Sequence, residues 1–314
     1  MNEIIRRSWN YPSILLITAT LFWGGNAVVG RFLAPDLSPI TISFIRILFS
    51  VAVILPFIFT PLKKEWQQVK KHIGLFFWFA VTGVIGYNIM SYWALSYTTA
   101  INVAILNSLS PVFMIFLSFI IMREYPKRNI ILAVIFSLIG IVWVMFDGSI
   151  TRLMQIEWNI GDVIMLGGVL SWAVYSILLV RKKLNIHPLA LFGYSSIFAV
   201  ILLAPFTLYE WIKYESVFSI ATGTQWLALL YLGIFPSIIS FVFWNRSVFL
   251  MGPAKCSVYM NLTAIFAAIL GFIFINEALS FAQVIGGALI FSGVYIATRY
   301  KTRQEVNKKK RKIG

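Results

Sequence analysis

Ten apolar runs, none shorter than 18 residues, divide this 314-residue chain. They fall at 13–33, 40–60, 73–95, 99–122, 129–146, 162–181, 188–209, 226–247, 254–276 and 281–298. A helix needs about 20 such residues to cross a hydrocarbon core about 30 Å thick. Lipid offers no partner to a free backbone N–H or C=O, so a spanning segment must close its hydrogen bonds as a helix or within a barrel. The period-2 alternation of barrel strands is absent. The expected fold is all-α and integral to a membrane, with ten transmembrane helices. Composition agrees, at 60% apolar and 12% charged residues against about 45–50% and about 25% in a soluble domain. In water such a surface would carry large aggregating patches.

The net charge of +15 suggests nucleic acid until the basic residues are placed. They sit in linkers and in one tail, the pattern of a membrane protein with asymmetric loops. With the N-terminus inside, the cytoplasmic segments hold Arg6, Arg7, Lys63, Lys64, Lys70, Lys71, Arg123, Lys127, Arg128, Arg181, Lys182 and Lys183. The opposite face holds only Arg31, Arg152 and Lys213. Both termini are therefore expected in the cytoplasm, as an even span count requires, in a multi-pass protein of a prokaryotic inner or plasma membrane. The basic segment 299–314 reads as a cytoplasmic tail drawn to anionic lipid, at about 1 kcal/mol per basic residue near the surface. No nucleic-acid partner is expected.

The chain also repeats itself. A shift of 149 places Trp23 on Trp172, Pro39 on Pro188, and Pro56 and Phe57 on Pro205 and Phe206. Later the offset grows: Trp93 meets Trp244 at 151, while Glu124 meets Glu277 and Gly140 meets Gly293 at 153. The expected units are residues 1–148 with spans 1–5, residues 149–298 with spans 6–10, and the tail. Because five is odd, the second unit enters the bilayer from the other side. Such inverted repeats are the architecture of secondary transporters, with a site between the repeats.

Several short motifs, in this order, resemble the EamA-like family of the drug/metabolite transporter superfamily across almost all of residues 10–300. The first span carries Phe22-Trp23-Gly24-Gly25-Asn26 and then Gly30-Arg31, and the second has Arg46 after Pro39. The fourth has Asn107, Pro111 and, at its end, Glu124; the fifth has Gly140. The second half carries Ser171-Trp172-Ala173, Tyr175, Glu277 and Gly286-Gly287 through Gly293. The resemblance implies a carrier of small metabolites, often an exporter of amino acids or related compounds, with a central cavity shared by both halves. The halves differ where it matters: Ser195 stands opposite Arg46, and Ala264 opposite Pro111.

Polar side chains inside spans usually face the bundle interior. Trp23, Asn26, Asn88, Tyr92, Asn107, Pro111, Trp172, Tyr175, Trp244, Tyr259 and Asn261 would line one cavity, an aromatic wall with sparse amides suited to a flat or amphipathic solute. Each asparagine reads equally as an interhelical hydrogen bond, and Trp9, Trp66, Trp158 and Trp226 read as interface belts. Pro111 is expected to loosen its helix. Arg46 either recognises an anionic group or snorkels outward, its place about 10 Å into span two favouring the second. Glu124 and Glu277 stand at span ends, where helix-end ion pairs are favoured over proton coupling. The pairs Gly167/Ser171, Ala267/Gly271 and Gly286/Gly293 suit close helix packing.

The one cysteine, Cys256, permits no internal disulfide, and His72 and His187 form no cluster with metal-ligand spacing. No cofactor or metal is expected, and no clustered acid, base or nucleophile marks an enzyme. The expected partners are a small-molecule substrate and the bilayer, in a monomer or weak homodimer.

Overall fold

The computed structural model describes residues 11–94, 97, 103, 106–149, 151, 159–182, 184, 186–214, 216–275 and 280–299. Glu277, Trp9, Trp158, Arg152 and the tail beyond 299 lie outside them. Among the described residues, helices follow the expected runs: α1 Pro12–Leu33, α2 Pro39–Lys71, α3 Ile73–Ala94, α4 Ser110–Met122, α5 Arg128–Met145, α6 Ile160–Arg181, α7 Pro188–Lys213, α8 Gly223–Met251, α9 Pro253–Ile273 and α10 Phe281–Arg299, with a short helix at Val217–Ile220 between α7 and α8. Eight are long and apolar enough to cross a bilayer; α4 and α10 are shorter apolar helices at the expected fourth and tenth positions. No strand occurs among the described residues.

Local chemistry sets the helix ends. α2 and α7 both open with a cap followed by proline at the first helical position, where its missing N–H is harmless. Ser38 accepts from the Thr41 N–H in one, and His187 accepts from the Leu189 N–H in the other. Asn159 and Asp162 form a capping box on α6, as Thr222 and Gln225 do on α8. Gly252, at φ +82°, makes the sharp break between α8 and α9 that only glycine adopts freely. α2 continues 11 residues past its expected run, to Lys71, since Lys, Gln and Glu are good helix formers; α7 and α8 also overrun theirs, to Lys213 and Met251. Pro111 stands in the first turn of α4, directly after a turn at Ser108 and Leu109 that separates it from helical Leu106 and Asn107, in keeping with the expected loosening.

The helices interlock across the halves. α1 packs mainly on α9 and α8, while α6 packs on α3 and α4; α2 pairs with α7, and α5 with α10. Along the α5–α10 seam a Cβ on Gly140 would meet the Gly286 carbonyl at 2.6 Å, and one on Gly293 would meet the Ala133 carbonyl at 2.6 Å. Numbers rise along α10 as they fall along α5, so the pair is antiparallel. Exchanging the halves at an offset of 153 carries one of these contacts onto the other. α2 and α7 are antiparallel as well: Thr41 bonds Glu210 near one end, and Trp66 stacks on Tyr194 near the other.

Two helices widen midway: residues Ala80–Gly86 of α3 and Gly233–Ile239 of α8 are π-helical. They correspond at an offset of 153. The Trp93–Trp244 match at 151 does not carry into space, since Trp93 is 51% exposed and Trp244 is fully buried.

Candidate functional site

The π segment of α8 contains Pro236, which has no N–H for the Leu232 carbonyl one turn back. Ser237 Oγ donates to that carbonyl instead, at 2.7 Å. Ser50 Oγ donates to the Gly233 carbonyl at 2.7 Å, and Trp23 Nε1 donates to the Pro236 carbonyl at 3.0 Å. Two first-half side chains thus stabilise a second-half backbone defect. In α3 the Ser171 hydroxyl donates to the Thr82 carbonyl at 2.9 Å, and Asn88 Nδ2 donates to Val84 at 2.8 Å. Each π segment is supported by the opposite half.

Arg46 joins the π segments in a polar layer. Its guanidinium does not snorkel; it turns inward and the residue is 2% exposed. Nε and Nη2 both donate to Ser237 Oγ, at 3.0 and 2.8 Å. Nη1 donates to Asn26 Oδ1 at 3.3 Å and to Asn88 Oδ1 at 3.0 Å. The Tyr92 hydroxyl lies against the guanidinium. No carboxylate joins this network among the described residues. Removing such a charge from water costs several kcal/mol, and here only neutral dipoles offset it.

Aromatic rings form a second layer, one turn back along α1. Trp23, Trp172 and Trp244 meet pairwise at centroid distances of 5.4–5.6 Å, the range that favours tilted and edge contacts. Tyr175 and Phe241 pack on Trp172 at 5.2 and 5.3 Å. Tyr175 donates to Asn245 Oδ1 at 2.7 Å, and Trp244 Nε1 to Ser176 at 3.2 Å. Trp172 Nε1 and Asn245 Nδ2 are buried without a partner. Tyr87 leans on Trp172 and bonds Asn107 at 3.0 Å. The three tryptophans pack directly on one another in this conformation. A cavity of about 240 Å³ lies elsewhere, between α9 and α10 near Val144, and its lining is almost wholly apolar.

The two layers therefore bring together Trp23, Asn26, Arg46, Asn88, Tyr92, Asn107, Trp172, Tyr175 and Trp244. Pro111 is buried at the start of α4, next to Ser110, whose hydroxyl donates to the Asn107 carbonyl at 2.6 Å. Tyr259 lies apart, its hydroxyl donating to Ser13 at 2.7 Å where α1 begins, and buried Asn261 shares its 3₁₀ turn. Glu124 is exposed, just past the left-handed cap Arg123 of α4. Sequence reasoning missed Ser237, Asn245, Tyr87 and Phe241. Pro236 inside span eight was the available signal, because an interior proline frees a carbonyl that a neighbouring hydroxyl can take.

Glycines on α1 allow the approach. A Cβ on Gly24 would meet the Ala267 backbone nitrogen at 2.9 Å, and the Tyr231 hydroxyl rests against Gly25.

Comparison with known proteins agrees with this geometry. The sequence model of the EamA-like transporter family matches residues 11–146 and again 159–299. The uncharacterized transporter YyaM of Bacillus subtilis (strain 168) is 26% identical over 299 residues, covering 93% of this chain and 97% of that protein. An uncharacterized transporter of Archaeoglobus fulgidus is 28% identical over 291 residues, covering 91% and 96%. A solved crystal structure superposes with a TM-score of 0.73 at 20% identity, over 92% of this chain and 96% of that one, which is a likeness of fold. With both halves matched by the family model, the chain belongs to the EamA-like transporter family, a membrane transporter of the drug/metabolite type.

Proposed function

We propose that this protein is an alternating-access carrier that exports small organic metabolites, amino acids or related compounds, across a cell membrane. In this reading residues 1–148 and 149–298 are inverted repeats, and both termini face the cytoplasm. The observation that carries it is the pair of π-helical segments, one from each half, linked through Arg46 in one buried polar layer. π segments inside α-helices occur frequently at functional sites, and carriers built of inverted repeats hold their substrates at the repeat interface. The antiparallel pairing of α5 with α10 and of α2 with α7 supports inversion. The exchange of partners between α1 and α6 supports a twofold relation, which gives two packings of similar energy. Opening the site requires the aromatic layer to part, and each π segment supplies a place for its helix to bend.

The test is transport by the purified protein in proteoliposomes, over amino acids, nucleosides and aromatic drugs, with and without a pH gradient. Saturable counterflow of at least one solute is expected. Trp23→Ala and Asn26→Ala should each lower that flux several-fold while membrane insertion stays intact. Uptake as the favoured direction would reverse the export assignment. A well-inserted protein that moves no solute yet shows catalytic turnover would end the carrier reading.

A further inference from the structure

The Arg46 network carries an inference about what is moved, and it rests on the carrier reading above. A guanidinium grips a carboxylate through two parallel N–H donors, and its Nε–Nη edge is one such fork. Here both donors of that edge converge on one neutral oxygen, Ser237 Oγ, at 3.0 and 2.8 Å. The hydroxyl has another anchor, the Leu232 carbonyl at 2.7 Å. It therefore occupies a site built for two anionic oxygens while being held from behind. No acidic side chain shares the layer among the described residues. The Tyr92 hydroxyl lies against the guanidinium, and in the adjoining aromatic layer Trp172 Nε1 and Asn245 Nδ2 are buried donors without a partner. The amide oxygens of Asn26 and Asn88 are already committed to Arg46. An anion finds donors and a countercharge here, whereas an ammonium finds a cation and no free carboxylate.

We infer that the site takes lipophilic monocarboxylates: the carboxylate replaces Ser237 on the Nε–Nη2 edge of Arg46, and the apolar body lies against Trp23 and its ring neighbours. Displacing Ser237 frees the first-half arginine from the α8 π segment, so binding loosens the contact that joins the two π segments. Pairing also neutralises the solute for its passage through a low-dielectric interior.

A series with one aromatic body and different head groups tests this: 3-phenylpropionate, its isosteric amide 3-phenylpropanamide, phenylalanine and 2-phenylethylamine, each competed against tritiated 3-phenylpropionate on the detergent-purified full chain. The acid should bind more tightly than its amide by on the order of tenfold to a hundredfold, the range for a hydrogen bond to a charged partner. Phenylalanine should bind less well than the acid, and the amine least. Arg46→Gln should bring acid and amide to equal affinity. Ser237→Ala removes the competing oxygen and should tighten the acid several-fold with the amide unchanged, which gives a readout even where Arg46→Gln does not fold. The inference is overturned by no saturable binding of the acid at millimolar concentration, by amide binding equal to acid, by phenylalanine binding tighter than the acid, or by weaker acid binding in Ser237→Ala. Counterflow of another solute in the preceding assay would leave the carrier reading standing through any of these results.

Discussion

Gly83→Ala should destabilise the protein, although alanine is the better helix former. Gly83 lies in the π segment of α3 against Tyr175 of the other half. A Cβ there would stand 2.6 Å from Tyr175 Cγ and Cε2, and closer still to Cδ2. Carbon atoms in contact prefer about 3.5–4.0 Å, so the ring would have to retreat by about 1 Å. It has nowhere to go. Phe79, Trp172 and Phe241 surround it at centroid distances of 5.7, 5.2 and 6.1 Å. A shift also lengthens the 2.7 Å bond to Asn245, whose Nδ2 already lacks a partner. Overpacking costs about 1–3 kcal/mol, and the weakened hydrogen bond adds about 1 kcal/mol. Against these, alanine gains about 1 kcal/mol of helix propensity. The net expectation is a loss of about 1–3 kcal/mol. Gly287→Ala is the control, because a Cβ there meets nothing within 4 Å and adjoins the α9–α10 cavity. Thermal unfolding in detergent, followed by tryptophan emission, should place Gly83→Ala below the parent and Gly287→Ala level with it or above. Equal melting temperatures for the two variants would refute the argument from close packing.

Pro236→Ala restores the N–H that Leu232 lacks; it should raise the melting temperature and slow counterflow, and unchanged flux would remove this π segment from the transport cycle. Tyr175→Phe leaves a fully buried Asn245 without its donor and should cost about 1 kcal/mol, near the upper end for hydrogen bonds between membrane helices. A double-mutant cycle with Asn245→Leu checks this, and additive losses would deny the pair any coupling. Reporter fusions at positions 67, 155 and the C-terminus should report the first and last in the cytoplasm and the second outside; 67 and 155 on one side would break the proposed threading.

The order of short motifs was legible because each depends on neighbours in sequence. The matched prolines Pro39 and Pro188 stand at the first turns of α2 and α7, where a proline is harmless. The i,i+4 spacing of Asn88 and Tyr92 put both on one helix face. The same local logic misjudged Arg46, because snorkelling was weighed from its distance along one helix. Its actual partner, Ser237, lies 191 positions away. Tyr259 illustrates the opposite error: an aromatic residue inside a span, but one that serves the start of α1 through Ser13.

The sequence alone determined how many apolar segments there are, how they are spaced and that they form helices in a membrane, since a bilayer demands runs of a certain length with their backbones internally bonded. Which helices interlock, where α3 and α8 widen, and which way the guanidinium turns were decided only in the assembled bundle. Those choices depend on carbonyls, hydroxyls and rings supplied by the opposite half, and within a low-dielectric interior a polar group settles wherever the fold provides its partner.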